Sequence, residues 1–504
     1  KLEKMKELSA MDERPIMYCE YAHSMGNSTG NLFKFVDLFR NDPKVIGGFI
    51  WDWVDQGLYK TTEDGKRYFA YGGDFGEEYT DAVFCLNGLI FPDRTPHPAL
   101  YECKKLFQPI QASLEGKQIK ITNLQDFTDL SPYVLKYEVL KDGEVMTNGK
   151  LELPSIAPNA SKMINLPSFK RETSGEYYLN LSFELKEKTS WADAGHEVAW
   201  EQMTLQKSKS NNRITLASTL ETEEGGNELI VKTDAATITF NKEKGQLVSY
   251  KVGGQELLAA PLSPNFWRAP TDNDLAWGMP KMSGAWKEAT QNAKLSKLDV
   301  VKEGESQISI VAVFDLLDGA AEQIVQYEIS SSGGVSVDAQ LEGASENMPE
   351  LVRYGMTLAI PADFKRMSYY GKGPHEAYAD RQMSAKMGIY KPTMEDWNTP
   401  YIRPQENGNR MGVKWLEFRN ASGSGLRIEG IDLNVSVHDY TQEDLEKAKH
   451  TIDLPKRDFM TVNIDYGQMG VGGDDTWSPR SRPHEEFRLD EGKYRYEFVI
   501  SPIR

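Results

Sequence analysis

Cysteine is scarce in this chain: three occur among 504 residues, at Cys19, Cys85 and Cys103. Three cysteines do not form the dense disulfide framework that stabilises many small secreted domains. Because Cys19 and Cys85 lie in apolar segments, we expect both to be buried free thiols, with a bridge as the alternative. Cysteine usage does not decide between a cytoplasmic and a periplasmic location.

Long apolar runs and an excess of positive charge are also missing. No segment approaches the ~18 consecutive apolar residues that a membrane-spanning helix requires. Lysine and arginine number 58 against 75 aspartates and glutamates, which gives a net charge of −17. Nucleic acids and anionic membranes are bound through positively charged surfaces, so this acidity argues against both as partners. A neutral ligand such as a sugar is compatible with it.

Apolar and charged residues are present in ordinary amounts, 39% and 26% respectively, which suffices for several hydrophobic cores. At ~150 residues for each domain, the length predicts about three domains.

The first hundred residues carry the pattern of a parallel α/β structure. Residues 15–21 form a short apolar run, apolar residues recur at helical spacing over 32–39, and a second apolar run follows at 45–51. This order predicts a βαβ unit whose strands are buried on both faces. Two strands do not make a domain, whereas a (β/α)₈ barrel has eight. We therefore expect residues 1–111 to be the C-terminal part of a (β/α)₈ catalytic barrel.

The earlier βα units of that barrel would lie on upstream chain that is absent from this sequence. In their absence, the apolar faces of residues 15–51 would be exposed to solvent.

After the barrel segment, apolar residues alternate with polar ones at a period of two. Residues 112–207 predict a small immunoglobulin-like β-sandwich, with a hairpin turn at 141–144. A polar linker is expected at 208–218. Residues 219–504 contain many further alternating runs without a second linker, which predicts one large antiparallel β-sandwich. The predicted fold class is thus mainly β and multidomain.

Three side chains stand out near the ends of the two parallel strands. Glu20 lies at the carboxyl end of the first strand, where barrel enzymes carry catalytic groups, although a structural acid paired with arginine is the alternative. Trp51 ends the second strand, and its indole would either stack on a pyranose ring or belong to the core or rim. His23, in the loop after Glu20, would either bind a sugar or stabilise the loop.

Several longer motifs occur along the chain. They are CEYAHSMGN (19–27), GGFIWDWVDQ (47–56), YGGDFG (71–76), FCLNGL (84–89), DRTPHPAL (93–100), GKGPHEAYADR (371–381), TPY (399–401), ENG (406–408) and GGDDTWSP (472–479). Together they resemble the bacterial lactose-cleaving β-galactosidases of glycoside hydrolase family 2, of which this chain would be the C-terminal half. The motifs occur in the family's order over the whole chain, which makes the resemblance highly specific.

The resemblance implies a role for each of five side chains. Glu20 would be the nucleophile that forms a covalent galactosyl-enzyme. His23 would bind galactose hydroxyls, and Trp51 would form the floor of the galactose pocket. Asn87 would bind a sodium ion that touches the sugar, and Trp477 would stack on the incoming sugar.

The resemblance also implies two metals. The carbonyl of Phe84 and the side chain of Asn87 would bind sodium, whereas most magnesium ligands would lie upstream of residue 1. Thr80 occupies a position where well-known members have asparagine as a ligand of an accessory magnesium ion. The accessory magnesium site is therefore open to question in this chain.

Retaining hydrolysis of a glycoside requires a nucleophile and a second carboxyl group that acts as acid and base. This chain supplies Glu20, and the resemblance implies that the second glutamate lies upstream; nothing assigns that role to Asp52 or Asp55. We therefore expect that the chain alone does not hydrolyse β-galactosides and that the complete enzyme, a homo-oligomer, does. The alternatives are a non-catalytic carbohydrate-binding or scaffold fragment, and a family 2 enzyme that cleaves β-glucuronides or β-mannosides.

Overall fold

The computed structural model describes residues 1–11, 13–208, 219–343, 348–489 and 492–503. The expected linker at 208–218 lies outside the described residues, apart from residue 208. The chain divides into two compact units. The first unit comprises Lys1–Leu100, the described residues from 219 to Gln382, and the chain from Tyr390 onwards. The second unit comprises the described residues from Tyr101 to 208, together with Met383–Ile389.

The N-terminal segment contains both helices and strands. They are α1 (Leu2–Met11), β1 (Ile16–Tyr21), α2 (Leu32–Asn41), β2 (Val45–Ile50), β3 (Leu58–Thr61), β4 (Arg67–Ala70) and α3 (Pro98–Phe107). β1 and β2 are parallel neighbours, with Met17 opposite Gly47. α2 packs on this pair through Phe35, whose ring centroid lies 5.2 Å from that of Tyr21. The predicted βαβ unit is confirmed.

The expectation that both faces of these strands are buried is wrong for this chain, whereas the expected exposure of the apolar faces of residues 15–51 is observed. Met17, Ile46 and Phe49 are 58%, 61% and 62% exposed, and Cys19 is also exposed rather than buried. A two-stranded sheet contacted by α1 and α2 is too small to bury these apolar side chains, which stay more than half exposed. An exposed apolar patch of this kind is typical of a surface that contacts further protein.

The second unit is a small antiparallel β-sandwich. Its strands are β5 (Ile110–Glu115), β6 (Gln118–Asn123), β7 (Tyr133–Lys141), β8 (Glu144–Leu151), β9 (Ser161–Asn165), β10 (Tyr177–Leu185) and β11 (Glu197–Gln206). They form the sheets β5-β6-β9 and β11-β10-β7-β8. The predicted hairpin turn joins β7 to β8, where Asp142 and Gly143 both have positive φ, at 51° and 86°. Positive φ at both central residues matches the twist of a hairpin.

The described residues from 219 to 503 are dominated by antiparallel strands joined by long loops and short helices, and all of them except Met383–Ile389 belong to the first unit. The elements are β12 (Glu221–Gly225), β13 (Glu228–Lys232), β14 (Thr237–Asn241), β15 (Gln246–Val252), β16 (Gln255–Glu256), β17 (Ala260–Asn265), α4 (Asp272–Trp277), α5 (Met279–Met282), α6 (Gly284–Asn292), β18 (Lys294–Glu303), β19 (Gln307–Leu316), β20 (Ala321–Ser330), β21 (Val335–Glu342), β22 (Arg353–Pro361), β23 (Arg366–Gly373), β24 (Lys386–Tyr390), α7 (Met394–Trp397), β25 (Arg410–Arg419), β26 (Gly425–His438), α8 (Gln442–Lys447), β27 (Phe459–Gln468) and β28 (Tyr494–Ile503).

Two antiparallel sheets enclose the core of this large sandwich. Their strand orders are β12-β13-β14-β15-β16 and β17-β22-β27-β26-β28-β21-β20-β19-β18. Alternate residues such as Ile238, Val337 and Ile464 point into one continuous buried cluster. The mainly β, multidomain fold class predicted from the sequence is confirmed. Among the described residues, no helix has the length and apolar character needed to cross a membrane.

A buried ionic cluster lies at the start of β22. The Arg353 guanidinium contacts Glu406 at 3.0 Å and Asp465 at 3.2 Å, and all three side chains are almost fully buried. Burial raises the pKa of Asp465 to about 7, while the charge of Arg353 opposes that shift. The arginine therefore compensates two carboxylates that lie out of contact with water.

Replacing Arg353 with methionine is expected to lower the melting temperature of the large sandwich by about 5–10 °C, because breaking a buried pair costs about 3–5 kcal/mol. Differential scanning calorimetry measures this change. Arg495→Met is the control, since Arg495 pairs with Asp338 in an exposed position and should change the melting temperature little. Equal shifts for both variants would contradict the assigned role of the cluster.

Candidate active site

Glu20 lies next to the carboxyl end of β1, and its side chain is partly exposed. One carboxylate oxygen, Oε1, contacts the Nζ atom of Lys1 at 3.3 Å. β1 pairs with β2 at Tyr18 and again at Tyr21, and the register shifts between these two residues, so Glu20 lies at an irregularity of the parallel ladder.

The segment of residues 22–31 that follows β1, here named the His23 loop, turns back sharply. His23 is buried, and its Nδ1 atom lies 2.8 Å from the hydroxyl of Thr476. Its ring also meets the indole of Trp477 edge to face, with centroids 5.0 Å apart. Burial lowers the pKa of His23 to about 4, although the nearby charge of Glu20 opposes this shift. The imidazole is therefore neutral near pH 7.

Backbone hydrogen bonds align Trp51 and Asn87 with the His23 loop. The amide of Ser24 donates to the carbonyl of Trp51 at 2.8 Å, and the amide of Asp52 donates to the carbonyl of Asn87 at 2.6 Å. Trp51 follows β2 directly and is half-exposed, so one face of its indole is open to a ligand. Glu20, Trp51 and Asn87 thus lie on adjacent segments of one edge.

Asn87 has an oxygen atom with no partner among the described residues. Its Nδ2 atom donates to the carbonyl of Phe84 at 2.6 Å, whereas its Oδ1 atom is buried and accepts no hydrogen bond. The ring of Phe84 lies 6.4 Å from that of His23. An unsatisfied amide oxygen and a backbone carbonyl oxygen are both ligands of the kind that hard cations prefer.

Trp477 reaches the site from the opposite end of the sequence. It belongs to residues 470–478, here named the Trp477 loop, in which Asp475 accepts hydrogen bonds from the amide and hydroxyl of Ser478. The indole is half-exposed, and the Nζ atom of Lys1 lies 5.3 Å from its centroid. The loop therefore presents an aromatic face that is open to solvent beside His23.

Two residues of this neighbourhood were not identified from the sequence. Thr476 is the partner of His23, and its only sequence signal is its position next to Trp477. Lys1 contacts both Glu20 and Trp477, and no motif marks it. Both contacts join segments distant in sequence, which periodicity does not predict.

The acids nearest to Trp51 are engaged in other contacts. Asp55 is buried, accepts a hydrogen bond from the amide of Gly88 at 2.7 Å and lies 3.2 Å from the ring of His97. Asp52 accepts a hydrogen bond from the side chain of Gln56 at 2.8 Å. Neither contact gives these acids a role in proton transfer.

Within the described part of the chain, no group of three or more histidine, cysteine, aspartate and glutamate residues is arranged to bind a metal ion. Thr80 is exposed, and its hydroxyl accepts a hydrogen bond from the amide of Ala82 at 3.0 Å.

Three family models match successive parts of the chain. The model described as "Glycosyl hydrolases family 2, TIM barrel domain" matches residues 1–112. "Beta-galactosidase, domain 4" matches residues 119–206, and "Beta galactosidase small chain" matches residues 232–500.

Curated relatives match over almost the whole chain. A β-galactosidase from Priestia megaterium and one from Vibrio cholerae are each 37% identical over 97% of this chain and 48% of their own length. A β-galactosidase from Photobacterium profundum is 36% identical over 97% of this chain and 49% of its own length. The chain thus spans about half the length of the curated relatives that it matches.

Among solved structures, a putative aldose 1-epimerase from Escherichia coli K12 covers 57% of this chain at 12% identity and a TM-score of 0.29, which is too low to support an argument. The sequence relatives and the family models are decisive. The family predicted from the motifs is confirmed: the chain belongs to glycoside hydrolase family 2, among the β-galactosidases.

Proposed function

We propose that this chain acts within a longer enzyme that hydrolyses terminal β-D-galactosides, such as lactose, with retention of configuration. The observation that carries this proposal is the position of Glu20, next to the carboxyl end of a barrel strand and beside the loop that contains buried His23. Catalytic groups of (β/α)₈ barrels lie at that end of their strands. The relatives named β-galactosidase support galactose as the sugar.

In the proposed reaction, a carboxylate oxygen of Glu20 attacks the anomeric carbon of galactose. A bond forms between that oxygen and the anomeric carbon, and the bond from the anomeric carbon to the aglycone oxygen breaks. A general acid protonates the departing oxygen. Water, deprotonated by the same group, then displaces Glu20 and releases galactose with its original configuration.

The general acid is proposed to lie on chain that this sequence does not include. The two carboxyl groups of a retaining enzyme lie about 5–5.5 Å apart. Near the site, Asp55 contacts His97 and Gly88, and Asp475 binds Ser478, so neither is placed to protonate an aglycone. Relatives about twice as long as this chain have room for the missing glutamate and for the remaining barrel strands.

Three further side chains would bind the sugar. Neutral His23 would form a hydrogen bond with galactose through Nε2, because its Nδ1 atom already contacts Thr476. The open face of Trp51 would pack against the apolar face of the pyranose. Trp477, half-exposed on its loop, would stack on the incoming sugar. Buried His23 thus orients the substrate while the two indoles contribute apolar contact.

Sodium fits the residues present, because the carbonyl of Phe84 and the unpartnered Oδ1 atom of Asn87 supply oxygen ligands from residues that contact each other. When bound, the ion would supply a positive charge next to a sugar hydroxyl. Magnesium would take most of its ligands from chain outside this sequence. Thr80 has a hydroxyl that already accepts a hydrogen bond, so we assign it to no metal.

Assembly and location complete the proposal. The complete enzyme is proposed to be a homo-oligomer, as the family resemblance implies. It would be a bacterial enzyme located in the cytoplasm or the periplasm.

The 504-residue chain alone is expected to release no nitrophenol from p-nitrophenyl β-D-galactoside, because the proposed general acid lies on chain outside this sequence. The complete enzyme should hydrolyse this substrate and, in a panel of nitrophenyl glycosides, prefer it to the β-glucuronide and β-mannoside.

Glu20→Gln in the complete enzyme should lower kcat/KM by at least about 10⁴-fold. Glu13→Gln, at an exposed position, is the matched control. Turnover by the isolated chain, or an active Glu20→Gln enzyme, would contradict the proposal.

The pH dependence of kcat/KM tests the assignment of neutral His23. Its lowered pKa of about 4 means that the ring stays neutral from pH 5 to 8. His23→Gln should therefore lower kcat/KM by about tenfold to 100-fold at every pH in this range, since one hydrogen bond is lost, without changing the shape of the profile. If the wild-type pH profile has a limb with a midpoint near 6.5, the ordinary pKa of histidine, and the His23→Gln profile lacks it, then His23 titrates during turnover.

A further inference from the structure

The motif at 371–381 contains a buried acid to which the proposed function assigns no role. Tyr378 and Arg381 exchange two backbone hydrogen bonds of 2.9 Å, which closes a tight turn, here named the Asp380 turn (Tyr378–Arg381). Asp380 occupies this turn and is buried. Burying a carboxylate is costly unless hydrogen-bond donors surround it.

The side chain of Asp380 binds the Trp477 loop. Its Oδ1 atom accepts a hydrogen bond from the amide of Val471, and its Oδ2 atom accepts one from the amide of Gly472, both at 2.9 Å. A Cβ atom on Gly470 would overlap the same carboxylate, so the close approach requires glycine at that position. Both oxygens of Asp380 therefore fix the backbone of one loop.

The same residue contacts the His23 loop. The carbonyl of Asp380 accepts a hydrogen bond of 2.9 Å from the amide of Asn31, and a Cβ atom on Gly30 would overlap the Asp380 carboxylate. The amide of Gly30 also donates to the carbonyl of Gly472 at 2.6 Å. Asp380 thus lies between glycines of two loops that are far apart in sequence.

The neighbouring residue strengthens this connection. Arg381 donates to the carbonyl of Ser28 at 2.5 Å and to the side-chain oxygen of Asn27 at 2.8 Å, both in the His23 loop. Its guanidinium is paired with buried Glu376 at 2.6 Å. The Asp380 turn is therefore tied to the His23 loop by two consecutive residues.

We propose that Asp380 is a positioning residue that fixes the His23 loop and the Trp477 loop relative to each other. This inference rests on the proposed function, in which His23 and Trp477 bind the sugar that Glu20 attacks. A shift of either loop would misalign the substrate with the nucleophile. Because catalysis depends on interactions that strengthen in the transition state, misalignment should affect kcat more than KM.

Asp380→Asn in the complete enzyme tests the proposal. The isosteric amide retains one acceptor oxygen but directs an NH₂ group at a backbone amide, which is also a donor. We expect kcat per folded molecule to fall about tenfold to 100-fold, while KM changes by no more than about threefold. The folded fraction is measured by near-ultraviolet circular dichroism. A residue that contributes only to stability would leave kcat per folded molecule unchanged.

Asp444→Asn is the matched control. The Asp444 carboxylate also accepts a backbone hydrogen bond, from Thr441 at 2.8 Å, and binds Arg457, but it contacts neither loop. We expect this variant to keep the wild-type kcat per folded molecule. A value of kcat for Asp380→Asn within about twofold of the control would overturn the proposal.

Hydrogen exchange gives a readout that is independent of catalysis. In Asp380→Asn, peptides that cover 22–31 and 470–478 should exchange faster than in the wild type, and in Asp444→Asn they should not. If Asp380→Asn does not fold, the wild-type amides of Gly30, Asn31, Val471 and Gly472 decide. A common free energy of opening, obtained after correction for each residue's intrinsic exchange rate, supports one coupled unit, and unrelated values overturn it. Failure of the wild-type enzyme to cleave β-galactosides would instead contradict the proposed function alone.

Discussion

The geometry of the site depends on hydrogen bonds between two loops from opposite ends of the chain. The ring of His23 meets the hydroxyl of Thr476 across 453 positions of sequence, and the amide of Gly30 donates to the carbonyl of Gly472. Each such bond contributes only about 0.5–1.5 kcal/mol to stability. These bonds join the barrel segment to the large sandwich, so the observed arrangement of His23 and Trp477 depends on contact between them.

Buried arginines provide the rigid support behind these loops. Arg268 donates to the carbonyls of Met469 and Gly470 and pairs with Asp274, while Arg353 compensates Glu406. Buried ion pairs are costly to desolvate, and their net effect on stability is small or unfavourable compared with apolar packing. They do, however, destabilise any arrangement that leaves a charge unpaired. We interpret the network as a device that favours one loop geometry over alternatives.

The elements with strong periodicity were predictable from the sequence, and the contacts between distant loops were not. Over 15–51, two short apolar runs predicted β1 and β2, and apolar residues at helical spacing between them predicted α2. The exposure of Cys19 was missed because it depends on which segments cover the sheet. Thr476 and Lys1 were missed for a similar reason, since no local pattern encodes contacts that form only after folding.

Part of the candidate site was predicted only by resemblance. Position at a strand end singled out Glu20 and Trp51, whereas Asn87 and Trp477 were identified from family motifs alone. Their roles remain proposals, and the role of Glu20 is central to all of them.

The complete enzyme, incubated with 2-deoxy-2-fluoro-β-D-galactosyl fluoride, should accumulate a fluorogalactosyl ester, because fluorine destabilises the oxocarbenium-like transition state of its hydrolysis. Peptide mapping should find the added mass on Glu20; labelling of another carboxylate would contradict the account.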